Sequence, residues 1–230
     1  KIYDSATGVM KENGKPALDF DGTDDSFDTN WSAGDTSALT AFNIASPTNN
    51  TTSSQLYDLR DSNNDGLRLI MFSDSDLFYS ASANDLRATA YVSGQQLIFS
   101  NYANGTISTA IDGASTDTGS APVSTSVTAN ATLFKDRGDT FYFNGKAQEV
   151  IFYLSDESNN RLEIEGNINS HYRVYNCNDA SQSTANAQPK IYSGTTGVIL
   201  ENGKVAVEFD GSDDNFEFTT TNSITTKFVV

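Results

Sequence analysis

The 230-residue chain is 37% hydrophobic, 11% aromatic and 19% charged, enough apolar material for a real core, so intrinsic disorder is not the default. Lys and Arg total 14 against 30 Asp and Glu, a formal net charge of -16; such a surface repels phosphate backbones and anionic headgroups, and no run approaches the roughly 18 apolar residues of a membrane span, so neither nucleic-acid binding nor membrane insertion is expected. One cysteine, Cys177, and one histidine, His171, exclude a disulfide framework and a Cys/His zinc cluster within the chain.

Taken in chain order, the pattern is strand after strand. The start, Lys1-Ile2-Tyr3-Asp4, carries neither an initiator Met nor a signal-peptide pattern and reads as mature or cut from something longer. Segments 8–11 and 17–20 flank Glu12-Asn13-Gly14-Lys15, an Asn-Gly turn suited to a tight hairpin because both central positions tolerate φ > 0. Phe20 and Phe27 bracket a second turn, Asp21-Gly22-Thr23-Asp24-Asp25. Segments 56–59 and 67–72 flank Asp61-Ser62-Asn63-Asn64-Asp65-Gly66, and further strands are expected at 77–80, 86–91, 96–102, 105–111 and 124–133. Phe141-Tyr142-Phe143 then turns through Asn144-Gly145 into a buried last strand at 148–153. Regularly spaced turns of this kind point to an all-β sandwich or jelly roll. The exception is 155–172. Ser155 reads as an N-cap, Asp156 and Glu157 fill the first turn, and Ile164, Ile168 and Tyr172 form one stripe of a short amphipathic helix. That helix is expected to pack across the sheet edge or between the sheets' ends.

An internal repeat organises the chain. Residues 1–29 recur, without a gap, at 190–218: Tyr3, Gly8, Val9, Glu12, Asn13, Gly14, Lys15, Ala17, Phe20, Asp21, Gly22, Asp24, Asp25 and Phe27 all reappear 189 positions later. That period is a domain, not a solenoid unit. The expected organisation is one domain at 1–175, a small, polar linker at 176–189, and the first strands of a second, truncated copy at 190–230. Either the parent chain continues beyond Val230, or this segment docks on a neighbouring molecule as donated strands.

The residues also carry a family resemblance. Ala17-Leu18-Asp19-Phe20-Asp21-Gly22-Thr23-Asp24-Asp25 resembles the opening strand and turn of laminin-G-like jelly rolls in the concanavalin A-like lectin/glucanase superfamily. Residues 143–156, followed by Arg161 and Glu165 and closed by Tyr172, resemble their final strand and C-terminal helix. The likeness covers most of 1–175. The linker and residues 188–192 are similar to segments that precede such domains in phage virion and marine bacterial surface proteins. The resemblance implies an antiparallel two-sheet β-sandwich with one short helix, extracellular or on a virion surface, that binds a cell-surface glycan or neighbouring copies of itself.

Several residues are candidates for chemistry. Asp61, Asn63 and Asp65 match the first half of a calcium loop, D-x-N-x-D-G, although position twelve is Phe72 where an EF-hand needs a bidentate Glu. In the related pentraxins calcium is completed by acidic residues before the penultimate strand, and Asp136 and Asp139 hold a comparable place. The same letters are also plain turn chemistry. Asp21, Asp24 and Asp25 could meet a ligand or merely shape an Asp-Gly turn, and Trp31 could stack on a sugar ring or join the core. No strand carries the paired carboxylates of a glucanase, and Glu163 and Glu165 diverge on a helix; no catalytic residue is assigned. The expected function is a non-catalytic carbohydrate- or partner-binding module acting in adhesion, with Ca2+ as a candidate cofactor. A structural scaffold domain is the alternative, and a glycoside hydrolase the third reading.

Overall fold

The structure is a computed structural model that describes residues 2–6, 8–48, 53–74, 76–82 and 84–175, and beyond them the short strands at 192–193, 197–198, 200–201 and 204–205. The chain divides into two units, Lys1–Tyr175 and Asn176–Val230. The expected linker at 176–189, Cys177 and most of 190–230 lie outside the described residues.

The first unit is built on two six-stranded antiparallel sheets. One runs, in spatial order, Asp117–Ser120, Thr106–Ile111, Gln96–Ala103, Ala38–Pro47, Asn144–Tyr153 and Leu18–Asp21. The other runs Asn84–Ala90, Asp76–Ala81, Leu67–Met71, Ser54–Asp58, Thr132–Leu133 and Phe27–Asp28. Their facing sides bury Leu39, Tyr57, Leu69, Tyr79, Ile98, Tyr102 and Ile107 in one core. Two of its tyrosines have hydroxyl partners: Tyr57 and Ser100 share a hydrogen bond of 2.8 Å, and Tyr102 donates to the Pro122 carbonyl at 2.9 Å, whereas the buried Tyr79 hydroxyl has none among the described residues. At the margin Tyr91 donates to the Phe72 carbonyl at 2.5 Å, and burial pushes its phenol up to about 12. The all-β sandwich with one helix is what the turn spacing and apolar runs predicted.

The centre of the first sheet is where sequence reading and structure part. Ala38–Pro47 was not marked as a strand, yet it pairs on both sides, with Gln96–Ala103 and Asn144–Tyr153. Leu39, Ala41 and Ala45 enter the sandwich core, whereas Phe42 and Ile44 point to the opposite face. A strand buried on both faces shows no polar alternation, so the period-two signal is missing.

That opposite face is covered by the single helix, Arg161–Tyr172. Phe42, Ile44, Leu97, Phe99 and Ala110 pack there with Ile168, so the helix forms a third layer on the sheet and not a plug at its edge or ends. It also begins later than expected. Ser155 donates instead to Glu157 Oε1 at 2.6 Å, and Asn160 holds the N-cap position without a side-chain cap. The anchor is an internal ion pair. Arg161 Nε donates to Glu165 Oε1 at 2.7 Å, with the guanidinium over the Phe99 ring and bonded to Thr116 Oγ1 and the Ala114 carbonyl at 2.6 and 2.7 Å.

Two other expectations shift. The strand at 124–133 is two pieces: Thr125–Val127 pairs with Gly34–Thr36, and Thr132–Leu133 joins the second sheet. Asn144-Gly145 is not a hairpin tip but the start of the ten-residue strand Asn144–Tyr153. Gly145 is required there because its φ is +147° and a Cβ would lie 2.3 Å from the Ser46 carbonyl oxygen. By contrast Asn13-Gly14 forms the expected turn, with Glu12 opposite Lys15 and positive φ at both central residues.

Arg161→Ala strips a buried carboxylate of its partner and is expected to destabilise the unit by about 3–5 kcal/mol. Glu165→Gln should cost less, because the amide oxygen can still accept from Arg161 Nε while Thr116 Oγ1 and the Ala114 carbonyl keep the guanidinium bonded. Urea unfolding followed by circular dichroism compares the two; equal losses would contradict the assigned role of the pair.

Candidate functional site

The helix and the last strand open a groove of about 440 Å³ on the outer face of the first sheet. Its lining follows from two periodicities. On the strand, Glu149, Ile151 and Tyr153 alternate toward the helix. On the helix, Ile164, Asn167, Ile168, His171 and Tyr172 stand at i, i+3, i+4, i+7 and i+8, one face. A bulge sets the strand's phase. The pairing with Ala38–Pro47 slips between Ala147 and Glu149, so Gln148 is the extra residue. Ala147, Val150 and Phe152 therefore face the sandwich core, and Ile151 and Tyr153 face the helix.

Ile151, Ile164 and Ile168 make the floor, and the two tyrosines make aromatic walls. Tyr153 is fixed edge-on to Phe42, ring centroids 6.1 Å apart, and Tyr172 edge-on to His171 at 4.7 Å. Burial raises the Tyr172 phenol above its ordinary value, and the charge of the Glu149 carboxylate adds to the shift. The exposed Asn167 and His171 complete a polar rim. The helix end is pinned so that these side chains keep their places. Asn13 Nδ2 donates to the Tyr172 and Arg173 carbonyls at 3.0 and 2.6 Å, and Arg173, in the left-handed conformation, returns its N–H to Asn169. Sequence reading found the Ile164, Ile168, Tyr172 stripe but assigned it to packing. Extending that stripe to Asn167 and His171 marks the helix side of the groove, whereas the strand's Glu149 joins it only through the tertiary pairing of the two elements.

The residues singled out from sequence lie elsewhere. Asp61 Oδ1 accepts the N–H groups of Asn63 and Asp65 at 2.8 and 3.0 Å, and the Asp65 carbonyl accepts the Asp61 N–H. Asp136 Oδ1 accepts the N–H groups of Thr140 and Phe141 at 2.6 and 3.0 Å, while Asp139 pairs with Lys135. Both loops converge on a residue that sequence reading missed, the fully buried Asp58. Its carboxylate is held bidentately by Arg60, at 2.9 and 2.5 Å, and accepts the Arg137 N–H at 3.2 Å; Arg60 also reaches Asn64 Oδ1. Burial by itself would push Asp58 up, but the Arg60 contacts and the Arg137 N–H hold it below the ordinary range. Among the described residues no group of three or more His, Cys, Asp or Glu side chains is arranged to hold a metal ion.

Asp21 and Asp25 are likewise engaged within their own turn, accepting the N–H groups of Thr23 and Asp21. The charge of Asp24 acts on the Tyr142 phenol. Trp31 is partly buried, its ring stacked on Phe152 at 5.0 Å and 25°, so that face is closed to a ligand.

No family model matches the chain, and no curated protein matches it. Solved structures do. The leech intramolecular trans-sialidase, complexed with 2,7-anhydro-Neu5Ac, superposes with a TM-score of 0.54 at 11% identity over 75% of this chain. The match spans only 29% of that enzyme. A SAP-like pentraxin from Limulus polyphemus gives 0.50 at 10% identity, over 86% of this chain and 96% of the pentraxin. A carbohydrate-binding candidate protein from Bacteroides ovatus gives 0.50 at 11% identity, over 68% and 52% of the two chains. At such identities the likeness is one of fold alone, a two-sheet antiparallel β-sandwich. No helix among the described residues is long and apolar enough to cross a membrane.

Arg60→Ala leaves Asp58 charged, buried and unpaired, and is expected to destabilise the unit by about 3–5 kcal/mol at neutral pH. Because the folded-state value of Asp58 is depressed, its contribution is present above the ordinary carboxylate range and is lost as pH falls through the depressed value. Asp58→Asn should therefore flatten the acid limb of a stability-against-pH curve measured by urea unfolding. An unchanged limb would remove Asp58 from that role.

Proposed function

We propose that this chain is a non-catalytic carbohydrate-binding module that takes a sugar in the groove between helix and sheet, acting in adhesion within a larger surface or virion protein. The observation that carries the reading is the convergence of Tyr153, Tyr172, Glu149, Asn167 and His171 on one groove of about 440 Å³, within the size range of small-ligand sites. Sugar rings offer an apolar face to aromatic walls and hydroxyls to carboxylate, amide and imidazole groups. The net charge of -16 favours neutral over anionic glycans. Glycosidic hydrolysis uses a pair of carboxyl groups across the bond, whereas Glu149 is the one carboxylate among the groove's lining residues. The shared fold with a sialic-acid-processing enzyme and a carbohydrate-binding candidate supports the choice of ligand class. Display or self-association is the second reading. It is favoured by exposed Ile2, Tyr3 and Val9 beside a separate groove of about 380 Å³.

A glycan array probed with the full chain, with and without EDTA, tests the proposal. Neutral glycans should be bound, chelator should leave the signal unchanged, and Tyr172→Ala should weaken the hits by about 10- to 100-fold. Glu149→Gln should do so more mildly. Blank arrays, or hits indifferent to both substitutions, would refute the groove. Loss of binding in EDTA would return the site to the Asp61 and Asp136 loops.

A further inference from the structure

Residues 2–29 lie along one flank of the first unit, held by a small set of contacts. Gln148, the bulge residue, donates through Nε2 to the carbonyls of Glu12, Lys15 and Pro16 at 3.1, 3.3 and 3.2 Å. That grip engages backbone and reads no side chain. Glu12 pairs with Lys146 at 2.9 Å and accepts from Ser46 at 3.4 Å, and Asn13 caps the helix end as described. Ala17 and Phe20 are buried. The Phe20 ring lies 4.4 Å from Phe134 and 5.8 Å from Phe143, and Phe27 lies 6.3 Å from Phe134. At Gly22 a Cβ would come within 2.8 Å of Asn144.

The contact side chains recur 189 positions on, as Glu201, Asn202, Ala206, Phe209, Gly211 and Phe216; of the residues held through their carbonyls, Lys15 recurs as Lys204 and Pro16 becomes Val205. Leu18 becomes Val207, still apolar, and Asp28, which pairs with Lys135, becomes Glu217. The described strands of the two segments also pair alike. Tyr3 faces Val9 as Tyr192 faces Val198, and Glu12 faces Lys15 as Glu201 faces Lys204.

We infer that residues 191–218 of a second copy of this chain fit the seat of residues 2–29 and can replace them there. The same contacts are made by either occupant, so the exchange is close to neutral in contact energy, as in domain swapping. The resident is favoured by its covalent tether, which acts as a high effective concentration. Exchange therefore grows when the resident is weakened or the protein is concentrated. The contact is heterologous, tail to seat, so it closes a pair where the exchange is reciprocal and runs on into longer chains where it is not.

Disulfide trapping in the full chain tests this. Asn144 lies opposite Asp21 in the antiparallel register, a Cα spacing that suits a disulfide. In a Cys177→Ser background, Asn144→Cys with Asp21→Cys is the geometric control and should close within one chain. Asn144→Cys with Asp210→Cys should yield dimers and a ladder of longer species on non-reducing gels, rising with protein concentration. Adding Phe20→Ala, which loosens the resident, should raise the intermolecular fraction about tenfold or more. Adding Phe209→Ala should abolish it. Phe20→Ala is read only if circular dichroism shows the fold retained; otherwise the concentration series with Phe20 intact decides. Absence of any intermolecular species while the control closes, or a link confined to one chain, would overturn the inference.

Discussion

The pairing of two ten-residue strands, Ala38–Pro47 and Asn144–Tyr153, is the constraint on which the rest of the first unit depends. Both bury side chains on two faces, so one ladder of backbone hydrogen bonds sets the phase of the sandwich core and of the helix-covered surface together. The slip at Gln148 is what reconciles them. Without that extra residue, the alternation begun at Gly145 and Ala147 would carry Glu149 into the core and Val150 out of it. The bulge thus places a carboxylate in the groove and leaves an amide free to hold the N-terminal hairpin.

Buried charge is used sparingly, and apart from Asp136, which backbone N–H groups satisfy, it sits in two ion pairs. The Asp58–Arg60 pair ties two loops of the second sheet together, and Arg161–Glu165 fixes the helix on the first. Such pairs add little net stability, because desolvation offsets much of the attraction, but losing one member is expensive. Their effect is to permit one docking of loop or helix and penalise others. In a chain whose surface is otherwise strongly acidic, this also explains why so many arginines are inward or stacked. Arg68 lies over Phe78, Arg87 over Phe72 and Arg161 over Phe99.

How far the sequence revealed this differs by element. The turn announced by Asn13-Gly14 appears with positive φ at both positions, because local stereochemistry decides it. The sandwich class was readable for the same reason. Ala38–Pro47 was not, since burial on both faces erases the pattern that identifies a strand, and Ser155 misled because a capping residue can equally well serve a turn. The acidic loops drew attention as metal ligands because Asp and Asn are the residues both of cation sites and of turns; in the structure their oxygens accept backbone N–H groups. The groove required knowing that one strand and one helix face each other, which is tertiary information that no local pattern in either segment carries.

The hold of Asn13 on the carbonyls of Tyr172 and Arg173 brings the beginning and the end of the first unit to one place. Tension applied through the two ends of that unit would enter and leave on the same side. It would peel the hairpin from the helix terminus, one bond after another, before reaching the sheets. A unit anchored in this way yields at a small clasp and keeps the groove between helix and sheet under load until the final helical turn itself is drawn away.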